Sequence, residues 1–573
     1  MVLCGFFRGF FGETHILNPH VNRYVHRANR PLKCTRWYQL QPVASVILEE
    51  PAFPSTGDIA RLVHHIQSQW HGLSRGLRQV SEAVCDVKLG EDCTHTSPIY
   101  ISPSEDLPRV QHILEKSLDA GQMTSLRLKV LPSDPARIDE HGLLFLPGRY
   151  VVPGGRFNEM YGWDSYFIAL GLLRQGRVPM ARAIADQCLY QVAHYGTVLT
   201  ANRTYYLTRS HPPFLGRLVL AVYRATGDIT WLRRALPLLE KFYYYWTVPP
   251  HLVSGINLSR YYDFAQGPAP EVALGEVDEF GRNHYERLRM NLAAGGEYVQ
   301  DASSFLDPET GALTLHAYHA DRSMRESGFD VSGRFGFANL DVLDILPVCL
   351  NTLLWRLELD IAKVREFLDA TDSLDVWRER SKQRAAIMNG LFWDDEAGMF
   401  FDYDGRAGRR RSYPFATTFW PMWAGLATRE QAASIVSRLP DFEAAGGLLT
   451  SLHLSGCQWD KPFGWAPLNY LAVLGLHRYG YRREARRLAR RFVTLVVSEF
   501  RRTGQLFEKY DIENMTSDVQ GKIKFGYPTN EPGFGWTNAC TMELLDYLGC
   551  LGDLDVEQTF TARIQLPPRA TAA

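Results

Sequence analysis

The sequence predicts an all-α protein, a ring of helical hairpins, and three observations carry that expectation. Apolar residues recur at three- and four-residue spacing in one segment after another between about residues 160 and 548. Glycine-bearing stops such as TGD, YGY and RTG close many of these segments. Strand-like runs are few and short, GMFFDYD among them. Periodicity gives helices and not their order in space. A ring suits them because the segments richest in chemistry fall between helices, where loops can gather at one end around a pocket.

Taken in order, residues 1–55 are basic, proline-punctuated and irregular. An amphipathic pattern follows through IARLVHHIQSQWHGLSRGL, and residues 56–150 read as a helical and connecting region. His64, His65 and His71 read as a helix face, since no zinc spacing accompanies them. Residues 151–555 hold the helical succession, from SYFIALGLLRQG through VPMARAIADQCLYQVAHYG and ITWLRRALPLLEKFYYYW to PLNYLAVLGLHRYGY. The arginine-rich REARRLARRF is a solvated amphipathic helix with Leu488, Phe492 and Leu495 on its buried face. Residues 556–573 form a C-terminal tail.

Composition narrows the function. The 573-residue chain has a net charge of −1 and a pI near 7.0, so no global field favours nucleic acid or an anionic membrane. Aromatic residues make up 12% of the chain, which suits a cleft that stacks sugar rings as well as it suits a large core. The nine cysteines are scattered with no CxxC, so neither a disulfide framework nor a zinc site is expected, and the cytoplasm is the expected location. The opening run VLCGFFRGFFGETH is too short to span a membrane and lacks a cleavage site. A periplasmic location stays open if the true start lies elsewhere.

No P-loop, Rossmann fingerprint, GxSxG elbow or HExxH occurs. Carboxylates remain. PGGRFNEMYGWDSYF carries Glu159 and Asp164, RESGFDVSGRF carries Asp330, QWDKPFGW carries Asp460, and FEKYDIE carries Glu508, each beside glycine and aromatic rings. One such acid alone is commonly a helix cap or an ion-pair partner. Four such segments on one helical scaffold point to glycosidic-bond cleavage, which needs a protonated acid at the leaving oxygen and an ionised base for water. A cleft with rings and arginines can hold both states, because apolar burial raises one pKa while an arginine lowers another.

PGGRFNEMYGWDSYF and QWDKPFGWAP resemble the two signature motifs of the α,α-trehalases, and NRTYYLTRSHPP, SRYYD, RESGFDVSGRF, EKYD and GFGWTNA follow in the family's order. The resemblance runs from about Val151 to Leu548. It implies an (α/α)6 toroid of six hairpins and hydrolysis of trehalose to two glucose molecules with inversion. By the same resemblance Asp330 is the general acid and Glu508 the base. Arg156, Phe157, Trp163 and Asp164 match sugar-contacting positions of the first motif; Arg209, Ser210 and His211 lie in the RSHPP segment, Glu271 in PAPE, and Gly328 beside the acid. Trp459 and Asp460 are expected in a pocket wall. No metal or cofactor is implied, and the expected partner is a small sugar, met by a monomer.

The sequence departs from the signatures at His211 (glutamine in the family), Ala269 (a sugar-binding arginine) and Thr200 (an asparagine). No glutamate stands in register with the family's GGGEY, although Glu531 is close. These changes touch recognition of the second glucose, so another small α-glucoside, a glucosylated polyol or glycerate, is the alternative substrate. A catalytically silent sugar-binding protein is a third reading, disfavoured because both acids are present.

Overall fold

The chain enters its first helix, α1 (Thr56–Gly72), at Ser55, whose hydroxyl accepts the Asp58 N–H and satisfies one of the free amides of the first turn. In this computed structural model residues 52–86, 97–273, 277–278, 280–295, 302–527 and 529–552 are described. The tail from 556, and all but the last four residues of the irregular 1–55 segment, lie outside them. Helix α1 buries Ile59, Leu62, Val63, Ile66 and Trp70. His64 and His71 face solvent, and His65 lies 4.9 Å from the Phe500 ring.

A small parallel sheet stands where the sequence reads only as a connection. Its central strand β1 (Ser97–Ile101) is followed by helix α2 (Leu107–Ser117), then by β2 (Leu126–Val130) and β3 (Leu143–Leu144). Ile99 pairs with Leu128 on one side and Leu143 on the other. Val110 and Leu114 of α2 share one apolar cluster with Ile99 and Ile101. The runs SPIYI and LRLKV are too short for an alternation to stand out, and parallel pairing is invisible in local pattern.

From Gly162 the helices run α3 (Gly162–Arg174), α4 (Val178–Tyr195), α5 (Leu215–Thr226) and α6 (Ile229–Trp246), then α7 (His284–Ala294) and α8 (Leu315–Glu326) in a long connection. They continue with α9 (Val348–Phe367), α10 (Leu374–Phe392), α11 (Trp420–Ala424), α12 (Arg429–Phe442), α13 (Ala466–Arg478), α14 (Arg482–Thr503) and α15 (Gly535–Leu548). Helices α3, α5, α9, α11, α13 and α15 touch in that order, and α15 returns to α3, closing an inner ring. Helices α4, α6, α10 and α14 back their neighbours from outside, and α12 packs on the 416–419 turn that leads into α11. The sixth outer place is taken by α1, which packs on α14 and α15. The Trp70 indole N–H donates to Gln175 at the end of α3, 2.5 Å. The fold is the expected (α/α)6 toroid, with a small sheet added and with α1 sharing the ring's apolar core.

Layer position explains composition. Inner helices are covered on all sides, so α3 and α13 are apolar nearly all round. Helix α14 is one-sided, burying Leu488, Phe492 and Leu495 while Arg482, Arg483 and Arg486 face water. The stops read from sequence are left-handed glycines: Gly227 at φ 65°, Gly480 at 90° and Gly504 at 74°. One expectation fails. Cys85 is disulfide-bonded, while Cys188, Cys349, Cys457, Cys540 and Cys550 are free. Spacing along the chain carries no sign of which thiols the fold brings together.

The place of α1 in the ring is testable. Trp70→Ala removes a buried ring and its bond to Gln175, so denaturant unfolding should show a loss of about 3–5 kcal/mol. An unchanged midpoint would mean that α1 is an appendage.

Candidate active site

The loops that precede α3, α5, α9, α13 and α15 meet around a cavity of about 1050 Å³, mouth included. Each loop brings the acids and rings singled out in the sequence. In PGGRF the two glycines take left-handed φ values of 117° and 56°, and a Cβ on Gly155 would collide with the Glu531 carboxylate. That carboxylate accepts the Arg156 N–H at 3.0 Å, so Glu531 reaches the first motif although it is out of register in sequence. Trp163 and Asp164 occupy the first turn of α3 and line the cavity. Gly328, at φ 72°, leaves no room for a Cβ, which would sit 2.9 Å from the Trp163 ring. Ring packs on ring here, Trp163 lying 5.8 Å from Trp459 and 5.6 Å from Trp536.

Asp330 follows that glycine. Its side chain is 33% exposed, open to the cavity, and its carboxylate lies 3.5 Å from the Arg325 guanidinium. Burial, opposed by Arg325, pushes its pKa up to about 6. Arg325 is itself held by Asp321 at 2.9 and 3.1 Å, and Asp321 also accepts from His284 and Tyr285.

Glu508 lines the same cavity from the entrance to strand β5 (Lys509–Asp511), which pairs with β4 (Phe463–Trp465) directly after the QWDKP segment. Burial raises its pKa, while Lys509 and the Tyr527 hydroxyl pull it back toward the ionised form. The Tyr527 hydroxyl donates to one carboxylate oxygen, and Lys509 Nζ lies 3.2 Å from the other. The same ammonium reaches Gln458 Oε1 at 3.1 Å, and the Gln458 amide donates to the Asp330 carbonyl. The two acids are therefore joined through Lys509 and Gln458. Asp164, between the arms of the site, is held well above the usual carboxylate range by burial and by the charges of Glu508 and Asp330.

Among the expected site residues, Asp330, Glu508, Arg156, Phe157, Trp163, Asp164, Arg209, His211, Glu271, Gly328 and Trp459 line this one cavity. Ser210 and Asp460 do not. Asp460 is fully buried behind the wall, where it accepts from the Gly333 N–H and the hydroxyls of Ser451 and Ser455 at 2.6–2.7 Å. The Ser210 amide donates to Glu326 at 2.9 Å, and its hydroxyl turns to the Val198 carbonyl. Both hold loops in place behind the lining of the cavity. Glu159 is likewise structural, a buried partner of Arg203 at 2.8 Å.

The departures from the signatures acquire physical content. His211 is pushed down to about 3 by burial and by Arg209, so its ring is neutral at pH 7 and can donate and accept as a glutamine does. Its Nδ1 and one oxygen of Glu271 have no hydrogen-bond partner among the described residues. Thr200 lines the cavity, yet its hydroxyl donates to the Ser210 carbonyl at 2.7 Å. Sequence reasoning missed Tyr206, His284, Arg287, Arg325, Gln458, Tyr527 and Trp536 as lining residues. Arg325, Gln458 and Trp536 lay inside quoted motifs, whereas His284 and Arg287 come from α7 and carried no motif. No group of three metal-ligating side chains is assembled among the described residues.

Comparison with known proteins supplies the family. Residues 58–549 match the Trehalase family. The chain is 34% identical to a cytosolic neutral trehalase of Saccharomyces cerevisiae, over 86% of this chain and 72% of that one. It is 36% identical to a cytosolic neutral trehalase of Emericella nidulans, over 88% and 74%. The solved structure of neutral trehalase Nth1 from Saccharomyces cerevisiae superposes with a TM-score of 0.71 at 32% identity, covering 86% of this chain and 94% of that one. A toroid of six hairpins, two carboxyls on one ring-lined cavity and these matches lead to one statement: the chain belongs to the trehalase family of glycoside hydrolases.

Proposed function

We propose that this chain hydrolyses α,α-trehalose to two glucose molecules with inversion, Asp330 acting as general acid and Glu508 as general base. The observation that carries the reading is that both carboxyls line one cavity and meet different donors, Arg325 beside Asp330 and Lys509 with Tyr527 beside Glu508. Asp330, raised to about 6, can hold a proton for the glycosidic oxygen. Glu508 receives a phenol donor and an ammonium, the partners an anion needs to take a proton from water. Water attacks the anomeric carbon as the bond to the leaving oxygen breaks; Glu508 takes the water's proton and Asp330 gives its own to the departing glucose. Trp163, Trp459 and Trp536 offer ring faces to the sugar. Trehalase-family membership favours trehalose over another small α-glucoside.

A monomer is the proposed active unit, and the net charge of −1 suits a protein with no nucleic-acid partner. No helix among the described residues is long and apolar enough to cross a membrane. We place the activity in the cytosol, as the relatives' names do for theirs, a setting that the free cysteines among the described residues suit.

Three outcomes are expected. Asp330→Asn and Glu508→Gln should each lower kcat on trehalose by about 10²–10⁴-fold with an unchanged melting curve; near-normal turnover in either would remove its role. Proton NMR at early times should show β- and α-glucose in equal amounts, one ring inverted and the other released unchanged, whereas α-glucose alone would mean retention. In the pH profile of kcat/KM, activity falls as pH rises through about 6 because Asp330 must be protonated, and it falls on the acid side as Glu508 takes up a proton. Lys509→Met removes the cation that favours ionised Glu508, so the acid limb should move to higher pH; an unmoved limb contradicts the assignment.

A further inference from the structure

Arginines from several loops and helices line the cavity, and they differ in their partners. Arg209 pairs with Asp263 and Glu271, and Arg325 with Asp321 and Asp330. Arg287, on α7, has no ion pair among the described residues, and its Nε, like that of Arg209, is buried without a hydrogen-bond partner. A buried guanidinium N–H left without an acceptor is costly unless a ligand supplies one.

Its place in the cavity follows from α7. His284 and Arg287 are three residues apart, so they share a helix face, and both line the cavity. His284 bonds to Asp321 at 3.0 Å, Asp321 holds Arg325, and Arg325 stands against Asp330. Arg287 therefore belongs to the wall on the acid's side. The neighbours of Glu508 are others: Lys509, Tyr527 and Trp536. The acid delivers its proton to the glycosidic oxygen, and beyond that oxygen lies the leaving glucose. The same helix also reaches Ala269, the position at which the signature carries an arginine. The Ala269 N–H donates to the Tyr285 hydroxyl at 2.8 Å, and Ala269 is fully buried.

We infer that Arg287 is a specificity-determining residue for the leaving glucose: its guanidinium, delivered from α7, donates to hydroxyls of the sugar on the acid's side and stands in for the arginine that Ala269 replaces. This rests on the trehalase reading. Its donors match a neutral polyol ring, because hydroxyl oxygens accept from guanidinium without a counter-charge.

The experiment compares wild type, Arg287→Ala and Arg287→Lys on trehalose and on 1-deoxynojirimycin, a one-ring iminosugar that fills only the pocket of the glucose being cleaved. Arg287→Ala should lower kcat/KM on trehalose by about 10- to 100-fold, chiefly through KM, with Arg287→Lys in between. The inhibition constant of 1-deoxynojirimycin and the melting temperature should stay within twofold and within about a degree of wild type. A change under twofold on trehalose overturns the inference, and so does a parallel loss of iminosugar affinity, which would mark a general disturbance of the site. Wild-type turnover is read separately: a wild type inactive on trehalose, yet active on another α-glucoside, overturns the trehalase reading and takes this inference with it.

Discussion

The proposed chemistry asks that two carboxyls lining one cavity be kept in different protonation states, and the groups around them bear on that requirement. Burial alone raises both. What separates them is the set of donors: Glu508 has a phenol and an ammonium, whereas Asp330 has Arg325, already engaged by Asp321. The link from Lys509 through Gln458 to the Asp330 carbonyl fixes the two arms of the site relative to each other. It ties the loop before α9 to the loop before α13 and to strand β5.

The toroid serves this constraint by gathering loops and the ends of helices at one cavity. Inner helices cannot shift without disturbing a core that is buried on every side, so the loops at their entrances inherit a rigid frame. The inner ring closes where α15 meets α3, and α1, from before the small sheet, fills the outer place beside α15. Arg156 is positioned the same way, by glycines that let Glu531 reach its amide across the ring closure.

Much of this was legible in the sequence, for reasons that are local. Helical periodicity and glycine stops report on neighbouring residues, so the helices and the caps at Gly227, Gly480 and Gly504 could be read directly. Motifs placed Asp330, Glu508 and the rings of the cavity. Motif membership does not say which way a side chain turns, and so Ser210 and Asp460, read from motifs as site residues, are not among the side chains that line the cavity. The parallel sheet and the sixth outer place of α1 depend on pairings far apart in the chain. Lys509 sat next to Glu508 in EKYD without notice, because a lysine in a strand reads as exposed until the fold buries it. Arg287 had no motif to mark it.

The division of labour between Asp330 and Glu508 is tested most directly by azide rescue of the two alanine variants. With Glu508→Ala, azide should enter from the side the water used, restore consumption of trehalose and yield β-glucosyl azide, because Asp330 still protonates the departing glucose. Formation of α-glucosyl azide, or rescue of Asp330→Ala and not of Glu508→Ala, would contradict the assignment.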